Sequence, residues 1–446
     1  MGILKTFALG GVHPAEQKLS ANIPIEELPV PKQVTVPFGQ NLGAPSKPLV
    51  KRGDTVKTGQ LIGEASSFIS ANVHSPVSGT VLKIDNVVDS SGFRRPAAII
   101  NVEGDEWMEE IDRSEELITG FDLTAQEIID KVKKAGIVGM GGATFPTHVK
   151  LMVPPGKKAE YLLINGVECE PYLTSDHRLM LEKGDEILVG TKILMKALGV
   201  SKAIIGIENN KPDAINHLTE LSKKHDGISV QPLKVKYPQG GEKQLIKAVT
   251  GREVPSGKLP IEVGCVVQNV GTVFAVYEAV LKNKPLIERI VTVTGKAVKK
   301  PSNFKVRVGT PVKELIDAAE GLPDNTGKII SGGPMMGKAL LNTDIPVVKG
   351  SSGILLMKKE ESSRKPESPC IRCSKCTYVC PMGLEPYLLS RYARTKRFEE
   401  AEKEKIMDCI ECGSCQYTCP ANIPLLDYLR LGKAKVGALI RARNAK

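Results

Sequence analysis

Eight cysteines in the last quarter of the sequence have the spacing of a redox centre. They read CIRCSKCTYVCP over 370–381 and CIECGSCQYTCP over 409–420, two copies of C-x2-C-x2-C-x3-C-P. Three thiolates within seven residues can wrap three irons of a cubane, and the fourth cysteine, turned away by its proline, reaches the other cluster. The spacing predicts one [4Fe–4S] cluster on Cys370, Cys373, Cys376 and Cys419, and a second on Cys409, Cys412, Cys415 and Cys380. Structural zinc prefers C-x2-C pairs well separated in sequence, and disulfides belong to small secreted domains. The second copy begins 39 residues after the first, and the 28 residues between Cys380 and Cys409 read as helical. The pair is therefore a two-fold helical repeat.

Other polar residues gather at predicted strand ends and turns. In GIVGMGGATFPTHVK (136–150), Gly139, Gly141 and Gly142 let backbone N–H groups approach a phosphate or a planar ring. Lys150 follows as a counter-charge. In LLINGVECEPYLTSDHR (162–178), an apolar strand delivers Asn165, Glu168 and Glu170 at its end, where α/β folds place ligands. YPQGGEKQLI (237–246) sets Gly240, Gly241 and Glu242 at a helix start, whose backbone donors suit an anion. VVQNVGT (266–272) repeats the arrangement with Gln268, Asn269 and Thr272.

The elements that must position these groups fall into several domains, since 446 residues exceed one core. Residues 1–30 read as a leader segment. From 31 to 115 short apolar stretches alternate with Gly and Pro, an all-β texture. From 121 to 287 strands alternate with helices, beginning with a capping box from Thr124 to Glu127, and predict an α/β domain. Residues 288–350 suggest a β-grasp module, 351–369 a polar linker, 370–430 the helical two-cluster domain, and 431–446 a basic tail or surface-seeking helix.

The net charge is +11, but no aromatic-interleaved basic motif points to nucleic acid, and no apolar run spans a bilayer. The cysteine usage suits a reducing cytosol. The start matches a myristoylation pattern through Gly2 and Thr6, a short pattern that recurs by chance. Cys265 reads as a core residue, and His13, His74, His148, Met335 and Met336 read as packing or turn residues.

Within 31–115, VKRGDTVKTGQLIGE and VHSPVSGTVLKI resemble the biotinyl/lipoyl-type barrel-sandwich. The hairpin SSFISANVHSP lacks that family's carrier lysine, which leaves a structural or docking barrel. The ordered string GMGGATFPTHVK…NGVECEP…YPQGGE…VVQNVGT resembles the flavin- and NADH-binding subunit of respiratory complex I, with departures at Met140, Val167 and Gly241–Glu242. With the barrel, the β-grasp (SLBB-like) module and the paired ferredoxin runs, residues from about 10 to 430 resemble the RnfC family of Rnf electron-transport complexes.

That resemblance implies a Rossmann-like domain binding FMN through Gly139, Gly141, Gly142, Lys150, Asn165, Glu168, Gly240, Gly241, Gln268, Asn269 and Thr272. It implies NADH over the flavin near Phe145, Glu170, Tyr237 and Glu242, with Glu170 and Glu242 as candidate catalytic residues. The expected partners are integral membrane and ferredoxin-like subunits, and the expected place is peripheral, on the cytoplasmic face of a bacterial cell membrane. A soluble NADH-dependent cobalamin reductase of a microcompartment shares the domain order. A non-catalytic relay scaffold is the other alternative.

Overall fold

The computed structural model describes residues 4–444. Gly2, on which the acylation pattern rests, lies outside the described residues. Strand alternation builds the first module as expected. A four-stranded sheet (order Gln33–Pro37, Arg94–Val102, Gly79–Val88, Thr55–Val56) faces a three-stranded one (Lys47–Pro48, Leu61–Glu64, Val73–His74). Val34, Val36, Phe38, Ile62, Val81 and Ile100 fill the space between them, each contributing about 1.5–3 kcal/mol on burial. Gly79 is obligatory, because its φ is +149° and a Cβ would stand 1.9 Å from the Asn101 carbonyl. His74 is buried in this barrel, which pushes its imidazole down to about 3, so it stays neutral.

The α/β domain has a parallel sheet in the order Ile228–Leu233, Ala203–Glu208, Tyr161–Asn165, Cys265–Asn269. The apolar strands are covered by the helices Gly184–Leu198 and Val270–Leu281 on one face and Glu242–Thr250 on the other. The Thr124–Glu127 capping box forms, with Glu127 N donating to Thr124 Oγ1 at 3.3 Å and Thr124 N to Glu127 Oε2 at 2.7 Å.

The third sheet corrects two readings of the sequence. It is six-stranded, in the order Ile25–Glu27, Ser302–Arg307, Glu288–Thr294, Gly353–Lys358, Thr326–Ser331, Lys338–Ala339. The strand GILLMK (353–358) lies inside the expected linker, yet it sits mid-sheet with Ile354, Leu355 and Leu356 1 % exposed. Only the charged stretch after it has linker character, and apolar β-branched and Leu residues need burial that a linker cannot supply. Ile25–Glu27 is a parallel edge strand of this sheet. The expected leader is therefore built into the fold: Lys5 bridges to Leu233 and Val12 to Tyr237.

In the cysteine-rich domain, the helices Pro386–Arg394, Phe398–Lys403 and Leu425–Asn444 pack around Leu389, Ala401, Ile406, Leu425, Leu429 and Val436. The last helix passes through residue 431 without a break, and Val436 is fully buried. As far as Asn444 the basic tail is therefore the outer half of a core helix, with Lys435, Arg441 and Arg443 exposed and Lys433 turned in to donate to Cys409 O at 2.6 Å.

The modules are locked together by buried polar contacts. The Lys349 side chain donates to Asn72 O (2.6 Å) in the barrel and Gly136 O (2.7 Å) in the α/β domain. Burial pushes its ammonium down to about 7. The N-terminal segment seals the seam to the cysteine-rich domain: Gly11 N donates to Val379 O at 2.9 Å and Val12 N to Tyr237 O at 2.8 Å. A Cβ on Gly10 would stand 2.6 Å from the Cys380 carbonyl.

Candidate functional site

The strand order of the α/β sheet reverses between Tyr161–Asn165 and Cys265–Asn269, the place where open α/β sheets bind ligands. Asn165 and Asn269 end these two strands in register with one another. Asn165 Nδ2 donates to Gly240 O at 2.8 Å, drawing the YPQGG turn to the crevice. Asn269 Oδ1 accepts from Gly271 N at 2.8 Å and caps the next helix, while its Nδ2 donates to Asp176 at 2.7 Å.

The glycine loop closes the crevice from above. Gly141 has φ +75°, and a Cβ there would stand 2.9 Å from Asn269 Nδ2. Nothing lies within 4 Å of a Cβ on Gly142. Met140 N donates to Thr272 Oγ1 at 2.8 Å, and Gly139 N to Phe145 O at 2.8 Å. Lys150 Nζ is 2.7 Å from both Glu242 Oε1 and Val267 O, placing a cation beside the helix start at Glu242. Gln268 is 2 % exposed, and its Nε2 finds no partner among the described residues. A cradle open at Gly142, a cation, an orphaned donor and a helix N-terminus fit a phosphorylated planar cofactor such as FMN.

Three expected site residues point elsewhere. Glu168, at φ +46°, accepts from Asp176 N (2.8 Å) and His177 N (3.1 Å), so it caps the helix Ser175–Glu182. Tyr237 is 2 % exposed and donates its hydroxyl to Cys412 O at 2.8 Å, toward the cysteine-rich domain. Glu170 accepts from Met335 N (3.1 Å) and Met336 N (2.8 Å) on the β-grasp loop. Met335 and Met336 thus hold a carboxylate through their backbones, and Met335 also packs beside Tyr237 and Cys412.

Burial pushes the Glu170 carboxyl up to about 7 against those two donors and Lys18. The folded chain then holds this proton more tightly than the unfolded one, whose value is 4.5. The sign follows: stability falls as pH rises from 4.5 through about 7, by up to about 3 kcal/mol. Glu170→Gln is expected to remove that slope. Unfolding by denaturant at pH 5 and pH 8 checks it, and an unchanged pH dependence would contradict the assignment.

Other residues at the site carried no motif. Lys18 Nζ donates to the carbonyls of Glu168, Glu170 and Leu173 at 2.7–2.9 Å and fixes the whole acidic loop. Burial, then the neighbouring Glu168, pushes Asp176 up to about 7. Glu208 and Lys211, each at most 2 % exposed, sit beneath the loop, and Lys211 donates to Val167 O at 2.8 Å. An isolated lysine in a loop gives no periodic signal, so Lys18 was beyond reach; Lys211 and Glu208 are visible only as charges flanking an apolar strand.

The cysteines divide between two environments. Cys380, Cys409, Cys412 and Cys415 line one hollow with Pro381, Met382, Leu426 and Leu429. Cys380 comes from the first run and the other three from the second. Burial pushes all four thiols up, Cys409 to about 11. Buried thiols that repel one another as thiolates are stabilised by bound iron, which takes them deprotonated. The backbone repeats around each run: Arg372 and Ser374 have φ +56° and +57°, and Glu411 and Gly413 have +56° and +78°. The second of these turns aims Glu411 N at Cys409 Sγ, and beyond the first run Leu384 N reaches Cys380 Sγ, both at 3.4 Å. The hollow, its four sulfurs and its inward N–H groups fit a cubane. Cys370 and Cys373 are exposed, and Cys376 and Cys419 pack at the edge of the helical core.

Four family models match in chain order: the RnfC barrel sandwich hybrid domain over 6–105, the Nuo51 FMN-binding domain over 132–278, the SLBB domain over 290–339 and a 4Fe-4S dicluster domain over 367–423. The chain is 48 % identical over 403 residues to the C subunit of the proton-translocating ferredoxin:NAD(+) oxidoreductase complex of Clostridium ljungdahlii, covering 90 % of this chain and 87 % of that one. It belongs to the RnfC family. The C subunit of the Na(+)-translocating ferredoxin:NAD(+) oxidoreductase complex of Acetobacterium woodii is 45 % identical, with 98 % of each chain covered. The C subunit of the ion-translocating oxidoreductase complex of Rhodobacter capsulatus is 42 % identical over 97 % of this chain and 84 % of that one. As an RnfC-family chain, the protein carries an FMN-binding domain and two [4Fe–4S] clusters and is an oxidoreductase subunit.

Proposed function

We propose that this chain is the NAD(H)-linked flavin and iron–sulfur subunit of an ion-translocating ferredoxin:NAD oxidoreductase complex. It assembles with integral membrane and ferredoxin-like subunits on the cytoplasmic face of the bacterial cell membrane. No helix among the described residues is long and apolar enough to cross a membrane, so in this reading its attachment comes through those partners. FMN supplies the change between two-electron hydride chemistry and one-electron transfer.

The chain's own residues position that chemistry. Gly139, Gly141, Gly142, Gly240 and Gly241 admit the cofactor, and Asn165, Gln268, Asn269 and Thr272 bind or brace it. Lys150 neutralises its phosphate. Phe145 and Glu242 face the dinucleotide, and Glu170 holds the β-grasp loop against that side. Cys380, Cys409, Cys412 and Cys415 hold the cluster nearer the flavin, and Cys370, Cys373, Cys376 and Cys419 hold the one toward the partner.

One observation carries the reading. The segment 237–244 touches the crevice on one side, through Gly240 O and Asn165, and the cysteine hollow on the other. Tyr237 hydroxyl meets Cys412 O there, and Gln244 Nε2 donates to Pro381 O at 3.2 Å. A packed turn of the flavin domain thus lies directly against one set of thiols, while the exposed Cys370 and Cys373 lie in the other set.

The purified chain, reconstituted with iron and sulfide, is expected to retain FMN and to oxidise NADH with ferricyanide as acceptor. A sample with a full complement of iron that neither retains FMN nor reacts with NADH would sink the proposal.

A further inference from the structure

The β-grasp sheet reaches into the flavin domain at a place that no motif marks. Arg289, the second residue of the strand Glu288–Thr294, is only 8 % exposed. Its Nε and Nη2 donate to Ser351 O at 3.1 and 2.9 Å, and its Nη1 faces the sulfur of Met140. Met140 is held at its backbone as well, its N–H on Thr272 Oγ1. The middle of the glycine loop is therefore clamped between a helix of its own domain and a guanidinium from the next.

The same edge of the β-grasp module braces both ends of the loop. Lys349 Nζ holds Gly136 O, and a Cβ on Gly350 would stand 2.5 Å from Thr144 Cγ2. Burying a guanidinium to join two modules is costly, and apolar residues would join them with less electrostatic penalty. A planar fork does what they cannot: it fixes a carbonyl and a neighbouring side chain in one geometry.

We propose that Arg289 is a positioning residue for FMN: by locking Met140 against Ser351 it holds Gly139, Gly141 and Gly142 in the binding conformation. Flavin binding is then conditional on the docked β-grasp module. This rests on the FMN reading of the glycine loop.

The test compares wild type, Arg289→Ala and Arg289→Lys as full reconstituted chains. FMN affinity is read by fluorescence quenching, flavin midpoint potential by redox titration, and iron by colorimetry. Loss of the buried charged hydrogen bonds is expected to weaken FMN binding in Arg289→Ala by about tenfold or more. Arg289→Lys keeps the charge without the fork and is expected to lose about threefold or more. The potential shifts in both, at unchanged iron. A wild type that binds no FMN would overturn the FMN assignment itself. Wild-type binding matched by both variants at unchanged potential would overturn the role of Arg289 alone. Should Arg289→Ala fail to fold, Arg289→Lys and Met140→Leu decide, and wild-type affinity in both would overturn the proposal.

Discussion

Cys412→Ser is expected to cut the iron of the reconstituted chain from about eight atoms to about four, one cubane of two. Cys412 is 7 % exposed and shares its hollow with Cys380, Cys409 and Cys415. A serine hydroxyl there is a poor iron ligand, and the remaining three thiols are pushed up by burial and do not ionise readily without metal. The contact from Tyr237 goes to the Cys412 backbone carbonyl, so it survives the change. The variant should therefore keep FMN and NADH–ferricyanide activity while NADH no longer reduces the remaining cluster. Iron assay and electron paramagnetic resonance after NADH addition read both effects.

The same experiment tests the interleaving. Cys380→Ser should resemble Cys412→Ser although it lies in the other run, and Cys419→Ser should resemble Cys376→Ser. If Cys380→Ser instead abolished the same signal as Cys376→Ser, each run would hold its own cluster.

Gly141→Val is expected to weaken FMN binding by about two orders of magnitude, as fluorescence titration would show, with both clusters retained. Its φ of +75° costs an L-residue about 1–2 kcal/mol. The new Cβ would stand 2.9 Å from Asn269 Nδ2, which is itself committed to Asp176. Displacing that amide breaks a buried hydrogen bond worth about 1–3 kcal/mol. The sum is about 2–5 kcal/mol, or roughly 30- to several-thousand-fold in affinity. Gly142→Ala separates fold from cofactor: a Cβ there meets nothing within 4 Å of the protein, so the fold is expected to be unaffected and any loss of affinity reads the flavin in that space. Unaltered affinity in Gly141→Val would move the cofactor out of this cradle.

Local patterns were readable wherever a residue's role depends on its chain neighbours. The strand ends at Asn165 and Asn269, the glycine loop and the helix start at Glu242 all meet at the crevice. Side-chain direction was a different matter. Glu168, Glu170 and Tyr237 sit in the expected turns, but a turn leaves its side chains free to face either of two neighbours. Glu168 faces a helix N-terminus, Glu170 the β-grasp loop, and Tyr237 the cysteine domain. The strand Gly353–Lys358 was hidden beside a charged stretch, and its sheet partners lie in the segments 326–331 and 292–294, far earlier in the sequence.

By itself the sequence determined the chemistry: two cubane motifs, a glycine-rich anion cradle and the order of the modules. Those are properties of residue type and close spacing, which covalent geometry transmits directly. The tertiary structure alone decided which of the two thiol sets is buried, that Tyr237 joins flavin domain to cluster domain, and that Arg289, Lys349 and Lys18 brace loops far from them in the chain. Such contacts depend on how separately folded modules pack. Packing is a sum of many weak, non-directional burials, and no single residue announces it.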